Sequence, residues 1–231
     1  MKRGILRLLA PAALTAATLM STPIGTVAAD PCPDVEVVFA RGTSEPPGVG
    51  AVGQGFVDAL RGDDLNKSVR VYAVNYLASD HFGDRMEFAR SVVDGIRDAG
   101  ARVQSTAQSC PSTRIVLGGF SQGAVVAGFV TADRVPDGVP AEFVPAPLPP
   151  EVADHVAAVT LFGMPSASWM QSYGAPPVTI GSRYADKTIE LCAPGDTICD
   201  GTPGAAPSLA HLMYPVNGLV GQAAAYAAGR L

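Results

Sequence analysis

Short runs of apolar residues, rich in valine, alternate along the chain with stretches of helical period. Five of these runs have strand length and are dominated by apolar residues, which is typical of strands buried on both faces of a parallel sheet. They cover residues 35–40, 69–75, 113–118, 156–162 and 187–191. Strands that alternate with helices predict a doubly wound α/β domain. We expect a five-stranded parallel sheet with the strand order 2-1-3-4-5.

The longest helical stretch begins near Asp84. Its apolar residues recur at intervals of three and four, which gives the helix one apolar face, and they are Ala89, Val92, Val93, Ile96, Ala99 and Val103. A weaker pattern predicts a first helix over residues 52–60, and a clear one predicts a last helix over residues 216–227. We expect these helices to cover the two faces of the sheet.

Two segments interrupt the alternation. Residues 134–150 contain six prolines in 17 residues, and proline fits neither the interior of a helix nor that of a sheet. We therefore expect an extended surface loop within the domain. Residues 163–186 are rich in Ser, Pro and Gly and are also expected to form a loop. Loops at strand ends build the ligand site in such sheets, so both segments are expected to border it.

The first 29 residues differ from the rest of the chain. Three basic residues precede an uncharged stretch over residues 8–29 that ends in small residues, which predicts a secretory signal peptide over residues 1–29. An uncleaved membrane anchor is the alternative, but prolines, a glycine and hydroxyl residues interrupt the stretch. Residues 30–231 are then expected to form a single secreted domain, either free outside the cell or associated with the cell wall.

The net charge argues against nucleic acid as a partner. Removing residues 1–29 takes away three of the 16 basic residues and none of the 21 acidic ones, so the exported domain carries a net charge of −8. A surface of this charge is a poor match for a polyanion. No second apolar run reaches the length of a membrane span. We expect a monomer with no integral membrane segment after cleavage.

Residues 119–123, Gly-Phe-Ser-Gln-Gly, match the motif G-x-S-x-G. The string alone is a weak signal, but a predicted buried strand runs directly into it and a helix of small residues follows. A sharp strand-to-helix turn exposes the serine hydroxyl group, and the flanking glycines relieve crowding in that turn. Ser121 is therefore the candidate nucleophile. The alternative is a glycine turn that only packs a helix on the sheet.

A serine nucleophile needs a base, and the chain has three histidines. In this architecture the acid and the histidine follow the serine, which excludes His81. His155 precedes the fourth strand and belongs to the opposite edge of the sheet, so His211 is the candidate base. For the acid we expect Asp196, which follows the last strand and lies between two cysteines. Asp200 is the reserve, and a plain Pro-Gly-Asp turn is the structural alternative.

Two backbone N–H groups are expected to form an oxyanion hole. Gln122 follows the nucleophile, and Thr43 lies in the loop after the first strand, where it offers a backbone and a hydroxyl donor. Arg41 and Glu45 flank Thr43, and we expect them to form a structural salt bridge. Residues 48–53 spell G-x-G-x-x-G, but they lie too far from the preceding strand for a dinucleotide site, and the second strand ends without an acid for the ribose.

Four motifs together resemble the cutinase family, in particular the exported cutinase-like esterases of actinomycetes. In chain order they are Ala-Arg-Gly-Thr-Ser-Glu at 40–45, Gly-Phe-Ser-Gln-Gly at 119–123, Cys192-x-x-Gly195-Asp196-x-x-Cys199, and His211. The resemblance implies a small, lidless α/β hydrolase. Such enzymes act on carboxylic esters with short to medium acyl chains, in some members on polyesters or lipids, and need no cofactor. The resemblance further implies the triad Ser121, Asp196 and His211, with Thr43 and Gln122 as oxyanion donors.

Four cysteines in an exported chain predict two disulfides, and three pairings are open. The resemblance implies the pairs Cys32–Cys110 and Cys192–Cys199. The predicted strand order agrees, because the first pair precedes neighbouring strands at one edge of the sheet and the second pair follows the fifth strand at the other. Residues 134–150 look longer than their counterpart in fungal cutinases, which leaves the substrate preference open.

The sequence thus predicts a secreted serine ester hydrolase. A phospholipase, thioesterase or acyltransferase with the same triad is an alternative, because the triad does not choose the acceptor. A non-catalytic envelope-binding protein on the same scaffold is the alternative from another class. It is disfavoured, because every expected catalytic residue is present.

Overall fold

The structure, a computed structural model, describes residues 32–62, 66–203 and 205–231. Five parallel strands form one sheet in the order β2-β1-β3-β4-β5. They are β1 (Val35–Ala40), β2 (Val69–Ala73), β3 (Arg114–Phe120), β4 (Val156–Phe162) and β5 (Thr188–Leu191). The predicted α/β fold and its strand order are confirmed. The predicted signal peptide lies outside the described residues.

Helices cover both faces of this sheet. They are α1 (Gly50–Gly62), α2 (Arg85–Ser109), α3 (Gln122–Val130), α4 (Ala167–Ser172), α5 (Ser182–Ala185), α6 (Leu209–Leu212) and α7 (Leu219–Ala228), and a 3₁₀ turn (Pro150–His155) precedes β4. Helices α1 and α7 pack on one face and α2 and α3 on the other. Within the described ranges, no helix is both long and apolar enough to cross a membrane.

Strand β1 shows why the sheet is buried on both faces. All six of its residues are buried, with Phe39 facing the α1 and α7 side and Val38 facing the α2 and α3 side. Side chains on a strand point alternately to opposite faces, so a strand between two helical layers needs apolar residues at nearly every position. The buried centre of the sheet therefore fixes the positions of the strand ends.

The two segments expected to be loops behave differently. Of the predicted loop 134–150, residues 134–149 form neither helix nor strand, and Pro150 begins the 3₁₀ turn. Arg97 of α2 donates a hydrogen bond to the carbonyl oxygen of Phe143 at 2.9 Å. Residues 163–186, also expected to be a loop, contain α4 and α5. That expectation was wrong because helices of six and four residues are too short to show a helical period.

One carboxylate is buried in the sheet. Glu36, in β1, is fully buried and accepts hydrogen bonds from Arg70 at 2.8 Å, from Arg102 at 3.1 Å and from the hydroxyl group of Thr106. Burial alone would raise the pKa of the Glu36 carboxyl, but these hydrogen bonds outweigh it and hold the pKa below its usual value. The cluster joins β1 to β2 and to α2.

We expect acid to weaken the fold through Glu36. Its pKa is lower in the folded chain than in the unfolded one, so its stabilising effect is complete above the unfolded value of about 4.3 and is lost as the pH falls through the folded value. Glu36→Gln should lower the free energy of unfolding by about 2 kcal/mol at neutral pH, because it leaves two arginines without their carboxylate partner. The loss is moderate because both arginines are partly exposed to water. Urea unfolding at neutral pH and at about pH 3 measures the effect. An equal loss of unfolding free energy at both pH values would contradict this role of the Glu36 carboxylate.

Candidate active site

The G-x-S-x-G motif forms a tight turn between β3 and α3. Ser121 has a φ of 54° and a ψ of −116°, a backbone conformation that serine rarely adopts. A Cβ at Gly119 would lie 2.1 Å from the carbonyl oxygen of Gly123, and one at Gly123 would lie 2.0 Å from that of Ala40. Only glycine fits at these two positions. The motif glycines thus let β3, α3 and the end of β1 meet at Ser121.

Two side chains from distant parts of the sequence meet the Ser121 hydroxyl group in a hydrogen-bonded chain. His211 Nε2 lies 2.9 Å from Ser121 Oγ, and His211 Nδ1 lies 2.9 Å from both carboxylate oxygens of Asp196. An ionised carboxylate only accepts, so Nδ1 carries the proton and Nε2 accepts from the serine hydroxyl group. The structure therefore brings together the three residues that the sequence singled out.

Turns beyond the last strand hold the histidine and the aspartate. Asp196 lies in the turn after β5, and His211 lies in α6. Ser208 caps α6 by accepting the N–H of His211, and its hydroxyl group donates to the carbonyl oxygen of Gly195 at 2.8 Å. Ser208 thus links the helix that carries the imidazole to the turn that carries the carboxylate.

The Asp196 carboxylate is fully buried and is hydrogen-bonded through both oxygens. The N–H of Ile198 donates to Oδ1 at 3.0 Å, and the hydroxyl group of Tyr214 donates to Oδ2 at 2.8 Å. Burial alone would raise the pKa of the Asp196 carboxyl, but hydrogen bonds from His211, Ile198 and Tyr214 hold that pKa below its usual value. The group therefore stays ionised at neutral pH, facing the imidazole.

Tyr214 is a site residue that the sequence analysis missed. The side chain is fully buried, and burial chiefly raises the pKa of its hydroxyl group, which stays protonated as a donor to Asp196. The same oxygen accepts the N–H of Ala193 at 2.9 Å. The available signal was its position three residues after His211, a short separation that keeps the two side chains in the same region.

The rejected candidates lie elsewhere. Asp200 accepts a hydrogen bond from a backbone N–H two residues further on, at 2.9 Å. His155 ends the 3₁₀ turn before β4, at the edge of the sheet opposite Ser121. His81 is exposed and pairs with a glutamate of α2 at 2.7 Å, whose hydrogen bond and charge raise the pKa of the His81 imidazole. Of the three histidines, His211 is the one that faces the serine.

Thr43 and Gln122, the expected oxyanion donors, lie with Ser121 in the wall of one cavity. The Gln122 side chain donates from Nε2 to the carbonyl oxygen of Ser79 at 3.0 Å, which fixes the start of α3 against the loop after β2. In the part of the chain that the structure describes, the backbone N–H groups of Thr43 and Gln122 donate to no protein acceptor. Both groups remain available to a ligand.

The expected salt bridge between Arg41 and Glu45 is wrong. Arg41 is buried and donates to backbone carbonyl oxygens, among them that of Glu45 at 2.7 Å and that of Leu77 at 3.2 Å. The Glu45 carboxylate instead accepts the N–H of Gly42 at 2.6 Å and that of Ala51, in the first turn of α1, at 2.7 Å. Because this carboxylate occupies the N-terminus of α1, a phosphate cannot bind there, in agreement with the rejection of a dinucleotide site.

A largely apolar cavity of about 820 Å³ opens at Ser121 and His211. Helices α2, α3 and α4 supply part of its wall. Both segments that were expected to border the site contribute to it, residues 134–150 from Arg134 to Leu148 and residues 163–186 through Trp169 and its neighbours. A cavity of this composition can enclose an apolar part of a ligand.

One disulfide lies beside the site, and a second lies at the opposite edge of the sheet. Cys32 pairs with Cys110 and Cys192 with Cys199, with Cα atoms 5.5 and 5.8 Å apart. These are the predicted pairs. The first joins the segments that lead into β1 and β3, and the second closes the turn that contains Asp196.

Removal of the short disulfide is expected to affect activity most, and removal of the long one is expected to affect stability most. Chain-entropy arguments assign about 4.5 kcal/mol of stability to the long Cys32–Cys110 loop and about 2.5 kcal/mol to the short Cys192–Cys199 loop. Replacing Cys192 and Cys199 together by serine should lower activity about tenfold or more, because Asp196 loses its fixed turn. The same variant should show the smaller drop in Tm, because the loop is short. The matched Cys32 and Cys110 variant should show the larger drop in Tm. The reverse ranking would contradict this role for the short loop.

A sequence profile of the Cutinase family matches residues 31–231. The chain belongs to the cutinase family. It is similar to "Probable carboxylesterase Culp7" of Mycobacterium tuberculosis, with 59% identity over 165 residues that cover 71% of this chain and 86% of that protein. It is also similar to "Phospholipase Culp4" of the same organism, with 45% identity over 225 residues that cover 96% of this chain and 90% of that protein.

A solved structure agrees with this family membership. The Trichoderma reesei cutinase in complex with a C11Y4 phosphonate inhibitor is 32% identical, with a TM-score of 0.63 over 87% of this chain and 77% of that one. The resemblance to cutinases stated from the four motifs is confirmed. As a cutinase-family protein whose relatives carry carboxylesterase names, the chain is a carboxylic ester hydrolase.

Proposed function

We propose that Ser121, His211 and Asp196 form a catalytic triad that hydrolyses carboxylic esters through an acyl-enzyme. The observation that carries the proposal is the pair of 2.9 Å contacts that join Ser121 Oγ to His211 Nε2 and His211 Nδ1 to Asp196. General-base activation of a serine requires this arrangement of nucleophile, imidazole and carboxylate.

In the first half of the reaction, His211 Nε2 takes the hydroxyl proton while Ser121 Oγ bonds to the ester carbonyl carbon. The negative charge that develops on the carbonyl oxygen is stabilised by the N–H groups of Thr43 and Gln122, the latter at the N-terminus of α3. The imidazolium, held by Asp196, then gives its proton to the alkoxide oxygen as the bond to the acyl carbon breaks. The alcohol leaves and Ser121 carries the acyl group.

Deacylation repeats these steps with water. Nε2 of His211 takes a proton from water as the water oxygen bonds to the acyl carbon. When the bond to Ser121 Oγ breaks, that proton returns to Oγ and the carboxylic acid is released. Asp196 stabilises the imidazolium in both halves, and its lowered pKa keeps it ionised throughout.

We also propose that the enzyme acts outside the cell after removal of residues 1–29, and that residues 30–231 form its single, monomeric domain. Two disulfides support this, because such bonds persist in oxidising compartments. The −8 charge of the exported domain makes nucleic acid a poor ligand.

A phospholipase activity is the second candidate. It is favoured by the similarity to Phospholipase Culp4 and by the apolar cavity beside Ser121, and a phospholipid presents the same carboxylic ester to the serine. Hydrolysis of p-nitrophenyl esters and of phosphatidylcholine by the purified protein tests both candidates. If the purified protein hydrolyses neither substrate, the proposal is overturned. A non-catalytic envelope-binding role has no support, because the chain is an ester hydrolase.

Asp196→Asn is expected to lower kcat by about 10³–10⁴-fold, because an amide cannot hold the imidazole in the tautomer that accepts the serine proton. Asp200→Asn is the matched control, since that carboxylate lies four residues away and accepts a hydrogen bond from the N–H of Thr202 in its own turn. We expect its kcat to stay within about threefold of wild type. Initial rates with p-nitrophenyl butyrate measure both variants, and a larger loss in Asp200→Asn would reassign the acid.

A further inference from the structure

The cavity extends far beyond the three residues that meet at Ser121. On α2 it is lined by a single stripe of side chains, which includes Ala89, Val93, Ile96, Gly100 and Gln104. Residues spaced by three and four lie on one face of a helix, at about 1.5 Å of rise per residue. The cavity is therefore a groove that follows α2 for about four turns.

Two contacts fix the direction of this groove relative to the serine. Ser79 accepts a hydrogen bond from Gln122 through its carbonyl oxygen and donates its N–H to Ser91 Oγ at 3.1 Å, so Ser91 lies at the level of Gln122. Four residues further along both helices, a Cβ at Gly95 would lie 3.0 Å from Val126. Helices α2 and α3 thus run side by side in the same direction, and the groove leads away from Ser121 towards Gln104.

The proline-rich segment forms the roof of the groove. Its residues Val144, Pro145, Pro147 and Leu148 line the cavity together with α2, and Leu148 lies within contact distance of Gly100. The hydrogen bond from Arg97 of α2 to the carbonyl oxygen of Phe143 fastens this segment across the helix at 2.9 Å. Prolines restrict the backbone, so the roof keeps its shape without helix or strand.

The length of the groove corresponds to a long acyl chain. From Ser91 to Gln104 the helix rises about 20 Å. An extended acyl chain advances about 1.2 Å per bond, since the three backbone bonds of one extended peptide residue span about 3.6 Å. The groove therefore has room for about 16 carbons beyond the serine, which is more than the short to medium chains that the family resemblance implied.

We propose that residues 134–148 and α2 together form the binding groove for the acyl chain of a long-chain ester, with its carbonyl carbon at Ser121. The inference rests on the proposed function, because the groove is identified by its continuity with Ser121 and His211. The carboxylic ester of a membrane lipid or another fatty acyl ester has the chemistry that fits it: one polar group at the serine and an unbranched apolar chain below the roof.

Gly100 offers a way to shorten the groove. A Cβ there would lie 3.7 Å from Leu148 Cδ2, so Leu148 already lies against α2 at this level, and a leucine at position 100 would meet it and close the groove. Gly100 lies about 13 Å below Ser91, or about 11 carbons from the serine. Leucine is a better helix former than glycine, so Gly100→Leu suits the helix backbone.

The experiment compares kcat/KM for p-nitrophenyl esters with acyl chains of 4, 8, 12 and 16 carbons, all dispersed in the same nonionic detergent. The wild type is expected to hydrolyse the 16-carbon ester at least as well as the 4-carbon ester. Gly100→Leu should lower kcat/KM for the 16-carbon ester at least tenfold and leave the 4-carbon ester within twofold. Gly221→Leu, the same change at an exposed glycine of α7 on the other face of the sheet, should change neither.

Three results would overturn the groove and leave the triad intact. In the first, the wild type prefers the 4-carbon ester over the 16-carbon ester. In the second, a folded Gly100→Leu variant loses kcat/KM for both esters to the same extent. In the third, Gly100→Leu loses kcat/KM for neither ester. Leu148→Trp, which fills the same space from the roof, decides the question if Gly100→Leu fails to fold. A wild type that hydrolyses no ester of any length would instead overturn the proposed function.

Discussion

Ser121→Ala is expected to lower kcat/KM for p-nitrophenyl butyrate by about 10⁴-fold or more while the fold is retained. Alanine lacks the Oγ that attacks the carbonyl carbon, and it adds no atom to the crowded turn between β3 and α3. The hydroxyl group is hydrogen-bonded to His211, so its removal leaves the strand and the helix packed as before. Far-ultraviolet circular dichroism and Tm establish that the variant is folded.

Ser44→Ala is the matched control for this prediction. Ser44 also has a positive φ, 61°, lines the same cavity, and donates its hydroxyl group to Asp80 at 2.8 Å. It has no part in the proposed bond-making steps, so its kcat/KM should stay within about threefold of wild type. Activity close to wild type in Ser121→Ala would refute the assignment of the nucleophile, as would equal losses in the two variants.

His211→Gln is expected to cause a loss of similar size, about 10⁴-fold or more in kcat. Glutamine can fill part of the space of the ring, but it cannot take the proton from Ser121 or return it to the leaving alcohol. The carboxylate of Asp196 is then left buried without the imidazole that it pairs with, so a lower Tm should accompany the loss of activity.

His155→Gln separates the loss of a base from the loss of any histidine. His155 lies at the far edge of the sheet, where the 3₁₀ turn leads into β4. We expect its kcat to equal that of wild type. If His155→Gln lost activity and His211→Gln kept it, the choice of base would be wrong.

The centre of the fold was predictable because its signals are local. Every residue of β1 is apolar except Glu36, and a strand buried on both faces requires such a run. The turn at Ser121 was predictable for a similar reason, since the G-x-S-x-G motif lies directly between a buried strand and a helix of small residues, and its glycines permit the sharp turn. Parallel strands with alternating helices then limit the strand order to a few choices.

The missed features depend on contacts between residues that are distant in sequence. Arg41 and Glu45 carry opposite charges four residues apart, yet Arg41 donates to the carbonyl oxygen of Leu77 and the Glu45 carboxylate caps α1. Tyr214 reaches Asp196 only because α6 folds back over the turn after β5. Backbone groups that become available only in the folded chain leave no mark in the hydrophobic pattern.

The most direct measurement is the site of reaction with a fluorophosphonate, which phosphonylates an activated serine. Cleavage after arginine yields a peptide over residues 115–134 in which Ser121 is the only serine. Mass spectrometry of the native wild type should find the label at Ser121, and labelling should be lost in Ser121→Ala, in His211→Gln and after unfolding in urea. A label on any other residue, or equal labelling of the native and unfolded chain, would contradict the proposed triad.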